Sequence, residues 1–468
     1  MLRGGVVSAL LFYPRGGSSH VARALSRELP LHGWDVKLVA GSRSDLDAHT
    51  DARAFYRGCE VRAVDFAPAL GSPDPMRYDG GPGTAPMHPS YEDRPGAPDR
   101  VFATLDDEDF ERQAQAWSRE LELAGAPSAD VLHVHHLTPL NEAAARVAPG
   151  VPVVGQLHGT ELLYLEQVAR GAPEGWPHAE RWAERMREWA RRCERLLVAP
   201  GGMERAAGLL GLDPERFAPA PNGFDPGRFR PREVDRVAHW RRNLVEEPQG
   251  WLPGKEAGSV RYSEDELAPF REGPVLLYVG RFTEVKRLPL LIRAFEMARP
   301  RFRSPAALVL LGGHPGEWEG EHPAEVIAAT GARDVFLAGW HDHEELPAFL
   351  AASDAVVLPS VREQFGQVLV EGMACERPAV AADSFGPRLI LEDGRTGWLV
   401  ARDDERAMAE ALLEVVNDEE ERRRRGREAR ADALERFSWP GIAESVAGVF
   451  ERAVSASSRP PAAGRSAP

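Results

Sequence analysis

The stretch Ala355–Asp383, AVVLPSVREQFGQVLVEGMACERPAVAAD, decides the fold. AVVLPS reads as a buried strand, VREQFG as a loop, QVLVEGMA as a helix and PAVAAD as the next strand. Two strands joined through a helix lie parallel, so the unit belongs to an α/β sheet. The free N–H groups near Gly366 and Gln367 then leave the carboxyl edge of that sheet, where a phosphate can sit. Glu363 precedes this helix start and Glu371 lies inside the helix. A carboxylate beside a diphosphate is repelled unless it faces cations or neutral hydroxyls, and a ribose diol is such a partner. Glutamates are also common on helix surfaces, so the rest of the chain has to decide between the two readings.

The same alternation extends to both sides. In the second half PVLLYVGRF, ALVLLGG and VFLAGW precede it as strands. In the first half VVSALLFY, DVKLVAG, ADVLHVHH and VPVVGQLHG are strands, and SSHVARALSRELPLHG carries Val21, Leu25 and Leu29 at helical spacing. At 468 residues the chain exceeds one ordinary core. The fold class is α/β, with two Rossmann-like parallel-sheet domains. A Pro, Gly and Asp-rich segment at about 68–98 reads as an excursion or lid, and a long irregular stretch up to about residue 272 reads as a linker.

Hydrophobic residues make up 43% and charged residues 28% of the chain, the balance of a soluble globular enzyme. No apolar run approaches the roughly 20 residues that cross a bilayer, so no integral membrane segment is expected. The net charge of −15 argues against a nucleic-acid partner. Three scattered cysteines suggest neither a disulfide framework nor a Cys-based zinc site, which fits a cytoplasmic location. HAERWAERMREWARRCERLLV sets Trp182, Met186, Trp189, Cys193 and Leu196 at helical spacing, read as a core-facing helix in preference to one lying on a membrane. LDDED at 105–109 reads as a helix start, and DEEERRRRGREARADALERF as a solvated helix.

Three further groups of residues bear chemistry. In YPRGGSSH, Gly16 and Gly17 can take positive φ and admit a ligand to the backbone, with Ser18 or Ser19 as a cap, or they form a tight turn only. In GRFTEVKR, Arg281 and Lys286 follow a strand and can hold a diphosphate. His133, His135, His136 and His158 end two strands; with Glu161 they could form a zinc site, though without a recognised zinc spacing, and strand-end histidines are more often structural.

Taken in order, RGG, HGTE, PNGFD, GRFTEVKR, EQFGQVLVEGMACERPAV and EDGRTGWLV resemble the retaining GT-B glycosyltransferases of family four over nearly the whole chain. The resemblance implies two domains facing across a cleft. It divides the chain into an N-terminal, acceptor-side domain at 1–222, a linker and nucleotide-sugar domain at 223–437 and a helix at 438–455 crossing back, while the tail at 456–468, Pro, Ala, Gly and Ser with almost no apolar bulk, reads from its composition as disordered. It implies that Gly16 and Gly17 lie near donor phosphates and acceptor, and that Arg281 and Lys286 grip the diphosphate. Glu363 would meet the transferred sugar, with Phe365, Gly366 and Gln367 near sugar and phosphate, while Glu371 would hold the ribose and His158 would face the sugar.

The implied reaction moves a sugar from a nucleoside diphosphate sugar, commonly a UDP-sugar, to a hydroxyl acceptor. It proceeds with retention by same-face substitution, without metal or cofactor. The chain departs from the pattern at SFGPRLILEDG, where Pro387 stands where a flexible Gly-Gly pair is usual. A nucleotide-sugar isomerase or epimerase and a catalytically silent nucleotide-sugar-binding protein are the alternatives on the same fold.

Overall fold

The computed structural model describes residues 4–93, 97–363 and 365–457. It divides into one compact unit of residues 1–221 with 439–468 and a second of residues 222–438. In the first unit the strands are β1 Gly4–Leu10, β2 Trp34–Ser42, β3 Glu60–Asp65, β4 Val131–His135, β5 Val153–Gln156, β6 Arg195–Val198 and β7 Phe217–Pro219. They form one parallel sheet in the order β3-β2-β1-β4-β5-β6-β7. In the second unit β8 Val275–Val279, β9 Ala307–Leu311, β10 Val335–Gly339, β11 Ala355–Leu358, β12 Ala379–Ala382 and β13 Gly397–Val400 run parallel in the order β10-β9-β8-β11-β12-β13.

The two parallel α/β sheets are those expected, and their order positions the chemistry. Each sheet reverses its winding once, between β1 and β4 in the first unit and between β8 and β11 in the second. Crossover helices diverge at such a point, which leaves an open crevice beyond the strand ends. The Gly16–Gly17 loop follows β1, His135 ends β4 with His136 just after it, and Arg281 and Glu363 follow β8 and β11.

Several elements differ from expectation. The helix begun at Ala179 ends at Arg192, because Leu196 and Leu197 are spent in β6 beside β5. Trp182, Met186 and Trp189 do face the core. The stretch read as a linker is part of the second unit's core: Trp240, Leu244, Trp251, Leu267 and Phe270 pack with β8 and β9. The excursion at 68–98, in its described residues, is no loose lid. Met76, Ala85, Met87 and Tyr91 are buried against Trp117, and Gln113 Nε2 donates to the Met87 carbonyl at 2.7 Å. The excursion's described residues form two short helical turns, Ala67–Leu70 and Pro75–Arg77, and its apolar side chains reach the core.

LDDED does start a helix, Asp107–Leu123, capped by the Asp106 carboxylate accepting from Asp109 N–H. The closing helix spans Trp439–Ser457 and buries Ile442, Val446 and Phe450 against Val21, Leu25, Trp34 and Val131 of the first unit. Ala456 and Ser457 are therefore helical, and residues 458–468 lie outside the described residues. No described helix is long and apolar enough to cross a membrane.

Candidate functional site

In the second unit the site is built on the ends of β8 and β11. The strand β8 passes into the 280–286 loop through Gly280, and the Tyr278 hydroxyl donates to the Arg281 carbonyl at 2.8 Å, fixing the turn. Val361 N–H donates to the Val285 carbonyl at 3.0 Å, which ties the loop after β11 to the loop after β8. That tie brings Lys286 Nζ to 2.6 Å from Glu363 Oε2, with both side chains 17% exposed. Arg281 is exposed and makes no ion pair among the described residues.

Gly366 caps the helix Gln367–Ala374 with φ +98, a conformation that favours glycine. Its side-chain-free backbone leaves the first N–H groups of that helix uncapped by any side chain. Such groups carry the positive end of the helix dipole. Two residues before Pro387, Phe385 opens a short helix, Phe385–Ile390, and Pro387 sits in its first turn, where its missing N–H has no helical partner to lose. The chain approaches closely at Gly386, where a Cβ would stand 2.3 Å from the Phe365 carbonyl oxygen. Gly386 N–H also donates to the Glu363 carbonyl at 2.9 Å.

Glu371 is 2% exposed. Its Oε1 accepts from His343 Nε2 at 2.7 Å and from Gln367 Nε2 at 3.2 Å. Gln367 Nε2 also donates to the Gly223 carbonyl at 2.8 Å. A buried carboxylate requires such donors, and the donors here are polar side chains that ligand hydroxyls can replace. His343 was not singled out from the sequence. The signal was present in GWHDH, a polar run just past the end of β10, much as HVHH stands at the end of β4.

The first unit holds the histidines and the glycine pair. Gly16 and Gly17 do not use positive φ: Gly16 is extended at φ −153 and caps the helix Gly17–Glu28 in place of Ser18 or Ser19. A Cβ at either glycine would meet nothing within 4 Å, so what they provide is open space. His133 and His135 lie inside β4, fully buried, and His135 Nδ1 is 3.0 Å from His158 Nε2. Burial holds the His133 imidazole down to about 4, and burial with neighbouring histidines holds His135 and His158 well below the ordinary value. Glu161 is buried too. Burial alone would push its carboxyl up, but His136 at 3.2 Å and the His158 N–H at 2.8 Å hold it below the usual range.

The four histidines and Glu161 bond one another, Gln156 and Ser8, while His136 Nε2 is buried without a hydrogen-bond partner among the described residues. Among the described residues no three His, Cys, Asp or Glu side chains form a group that could hold a metal ion. The zinc arrangement considered from sequence is not formed.

Residues 15–228 match the family model described as Glycosyltransferase Family 4, and residues 263–432 match that described as Glycosyl transferases group 1. A D-inositol 3-phosphate glycosyltransferase of a Nocardioides species is 30% identical over 344 residues, 69% of this chain and 67% of the relative. An alpha-D-kanosaminyltransferase of Streptomyces kanamyceticus is 33% identical over 178 residues, 38% of this chain and 45% of the relative. Among solved structures, Anabaena HepE in complex with UDP and glucose superposes with a TM-score of 0.61 at 17% identity, covering 95% of this chain and 99% of the other.

Proposed function

We propose, from the premise that this chain belongs to the group 1, family 4 glycosyltransferases, that it is a retaining enzyme. It moves a sugar from a nucleoside diphosphate sugar to a hydroxyl acceptor. The observation that carries this reading is the arrangement around the start of the Gln367 helix. An ion-paired Glu363 stands on one side and a buried Glu371 one turn within, with Arg281 and Lys286 on the adjoining loop. In a nucleotide sugar the phosphates lie between sugar and ribose. Glu363 takes the sugar hydroxyls, Glu371 the ribose diol, and the uncapped N–H groups at Gly366–Gln367 take the diphosphate.

Catalysis then consists chiefly of stabilising the departing diphosphate, through Arg281, Lys286 and the helix dipole. These cations do the task that a divalent metal performs elsewhere, so the reading requires no metal or other cofactor. The leaving phosphate oxygen takes the acceptor's proton as the acceptor attacks from the same face, which retains configuration. His158 is assigned to the transferred sugar on the resemblance alone. UDP is the donor nucleotide we favour, supported by the HepE complex with UDP and glucose. A polyhydroxylated small molecule is the acceptor class we favour, in keeping with a relative named for inositol 3-phosphate.

The test is calorimetric titration of UDP, GDP and ADP into the wild type and into Glu371→Ala without added metal. One nucleotide binding, weakened at least tenfold by the substitution, supports the placement. Binding of none of the three would remove the donor reading.

A further inference from the structure

Glu371 receives its protein donors on one oxygen. His343 Nε2 reaches Oε1 at 2.7 Å and Gln367 Nε2 reaches it at 3.2 Å, and among the described residues nothing donates to Oε2. A carboxylate oxygen offers about two acceptor sites, so Oε1 is filled. A ribose diol meets a carboxylate with one hydroxyl on each oxygen, and one of the present donors then has to leave.

The two donors are held differently. Gln367 opens its helix, and its Nε2 also donates to the Gly223 carbonyl at 2.8 Å. The His343 side chain is 43% exposed, in the loop beyond β10. One anchor of that loop is the turn at 222–229: Arg228 Nη2 donates to the His343 carbonyl, and the Phe229 and His343 ring centroids lie 5.5 Å apart. The turn is itself fixed, with Phe224 and Phe229 buried and Phe224 N–H donating to the Phe437 carbonyl at 2.9 Å. Asp225 closes it by accepting from Gly227 N–H at 2.8 Å. All of these residues belong to the second unit.

We propose that Arg228 is a positioning residue that keeps the His343 imidazole on Glu371 in the free protein, so that His343 occupies the ribose position until a nucleotide displaces it. The proposal rests on the assignment of Glu371 to the ribose made above. A guanidinium on a backbone carbonyl makes a charge-assisted bond, and here it restrains the segment that carries the imidazole. A ligand that must first displace a group already in place binds more weakly by the stability of that contact. A nucleoside diphosphate without the diol leaves His343 where it is and is indifferent to Arg228. The turn therefore lowers the advantage that the ribose hydroxyls confer.

The test is calorimetric titration of UDP and of dideoxyuridine diphosphate, which lacks both ribose hydroxyls, into the wild type and Arg228→Met. Methionine keeps an apolar stem against the Phe229 ring, over which the guanidinium sits at 5.4 Å, and removes the donors. The preference for UDP over the dideoxy nucleotide is expected to rise about threefold, the effect of one hydrogen bond of ordinary strength. Taking the ratio cancels any general electrostatic loss that both nucleotides share. In a His343→Ala background the same substitution leaves the preference unchanged, since no imidazole remains to be positioned.

An unchanged preference in Arg228→Met overturns the proposal, and so does an equal rise in the His343→Ala background. Arg228→Gln, which loses the charge and the reach, supplies the same readout if the Met variant fails to fold. Glu371→Ala binding UDP as tightly as the wild type overturns instead the assignment of Glu371 to the ribose.

Discussion

Lys286 Nζ lies 2.6 Å from Glu363 Oε2, so the cation assigned to the diphosphate is neutralised by the carboxylate assigned to the sugar when no donor is bound. Binding a diphosphate has to compete with Glu363 for that ammonium. Replacing Glu363 by Gln removes the competitor, and UDP is expected to bind a few-fold more tightly while transfer slows by tenfold or more. Lys286→Ala removes the cation itself, and kcat should fall by about 10²–10³, the usual effect of losing a charge-stabilising donor. Titration calorimetry and steady-state rates on both variants check this. Parallel changes in affinity for the two variants would show that the pair does not govern diphosphate binding.

His343 gives a second prediction with a sign of its own. It donates to the same Glu371 oxygen that a ribose hydroxyl would use. In His343→Ala that oxygen keeps only the longer bond from Gln367. The free protein loses a charge-assisted bond, and the nucleotide no longer has to displace it. UDP affinity should rise by about three- to tenfold, an effect of the size of one such bond half exposed to water. Weaker binding in this variant would mean that His343 contacts the nucleotide directly.

Much of this was legible from sequence for a physical reason. A fully buried parallel strand is a short apolar run, and AVVL, VLLYV and VLHVH could scarcely be anything else. The turn into the Gln367 helix announced itself through Gly366, whose positive φ few other residues accept. What was not legible depends on packing across long separations. Glu60–Asp65 carries polar residues at the edge of its sheet, Gly397–Val400 is only four residues long, and Arg195–Val198 continued a helical spacing by coincidence. His343 meets Glu371 across 28 residues and two loops, a pairing no local pattern encodes. The open space around Gly16 and Gly17, in place of a positive φ, likewise depends on where neighbouring chain is absent.

Stability should fall on acidification in a defined window. The folded-state value of His133 is depressed to about 4 by burial, whereas in the unfolded chain it keeps its ordinary value near 6.5. Below pH 6.5 the unfolded state binds the extra proton. The folded state therefore loses stability as pH falls toward 4, by about 3 kcal/mol from this group alone. His135 and His158 are shifted in the same direction and steepen the loss. Urea denaturation at pH 7.5, 6.0 and 5.0 should show the midpoint dropping, and less steeply in His133→Gln. Identical slopes for variant and wild type would mean that His133 is reached by protons without unfolding.

The 68–98 excursion is held by a buried charge, and that makes the last prediction. Glu120, with no exposed side-chain surface, accepts from Arg62 Nε at 2.7 Å, from Gly83 N–H at 2.9 Å and from Arg119 Nε at 3.2 Å. One carboxylate thus joins β3, the excursion and the Asp107–Leu123 helix. Removing the carboxylate costs the bonds from Gly83 N–H and from two arginines that are 29% and 33% exposed, while Arg119 keeps its bonds to the Gly81 and Thr84 carbonyls, a loss of about 3 kcal/mol. For Glu120→Ala that corresponds to a fall in Tm on the order of 10 °C, together with faster proteolysis within residues 71–83. The exposed neighbour Glu122→Ala should stay within about 0.5 kcal/mol of wild type and serves as the control. If Glu120→Ala melted like that control, Met76, Ala85, Met87 and Tyr91 would be holding the excursion down by apolar contact alone.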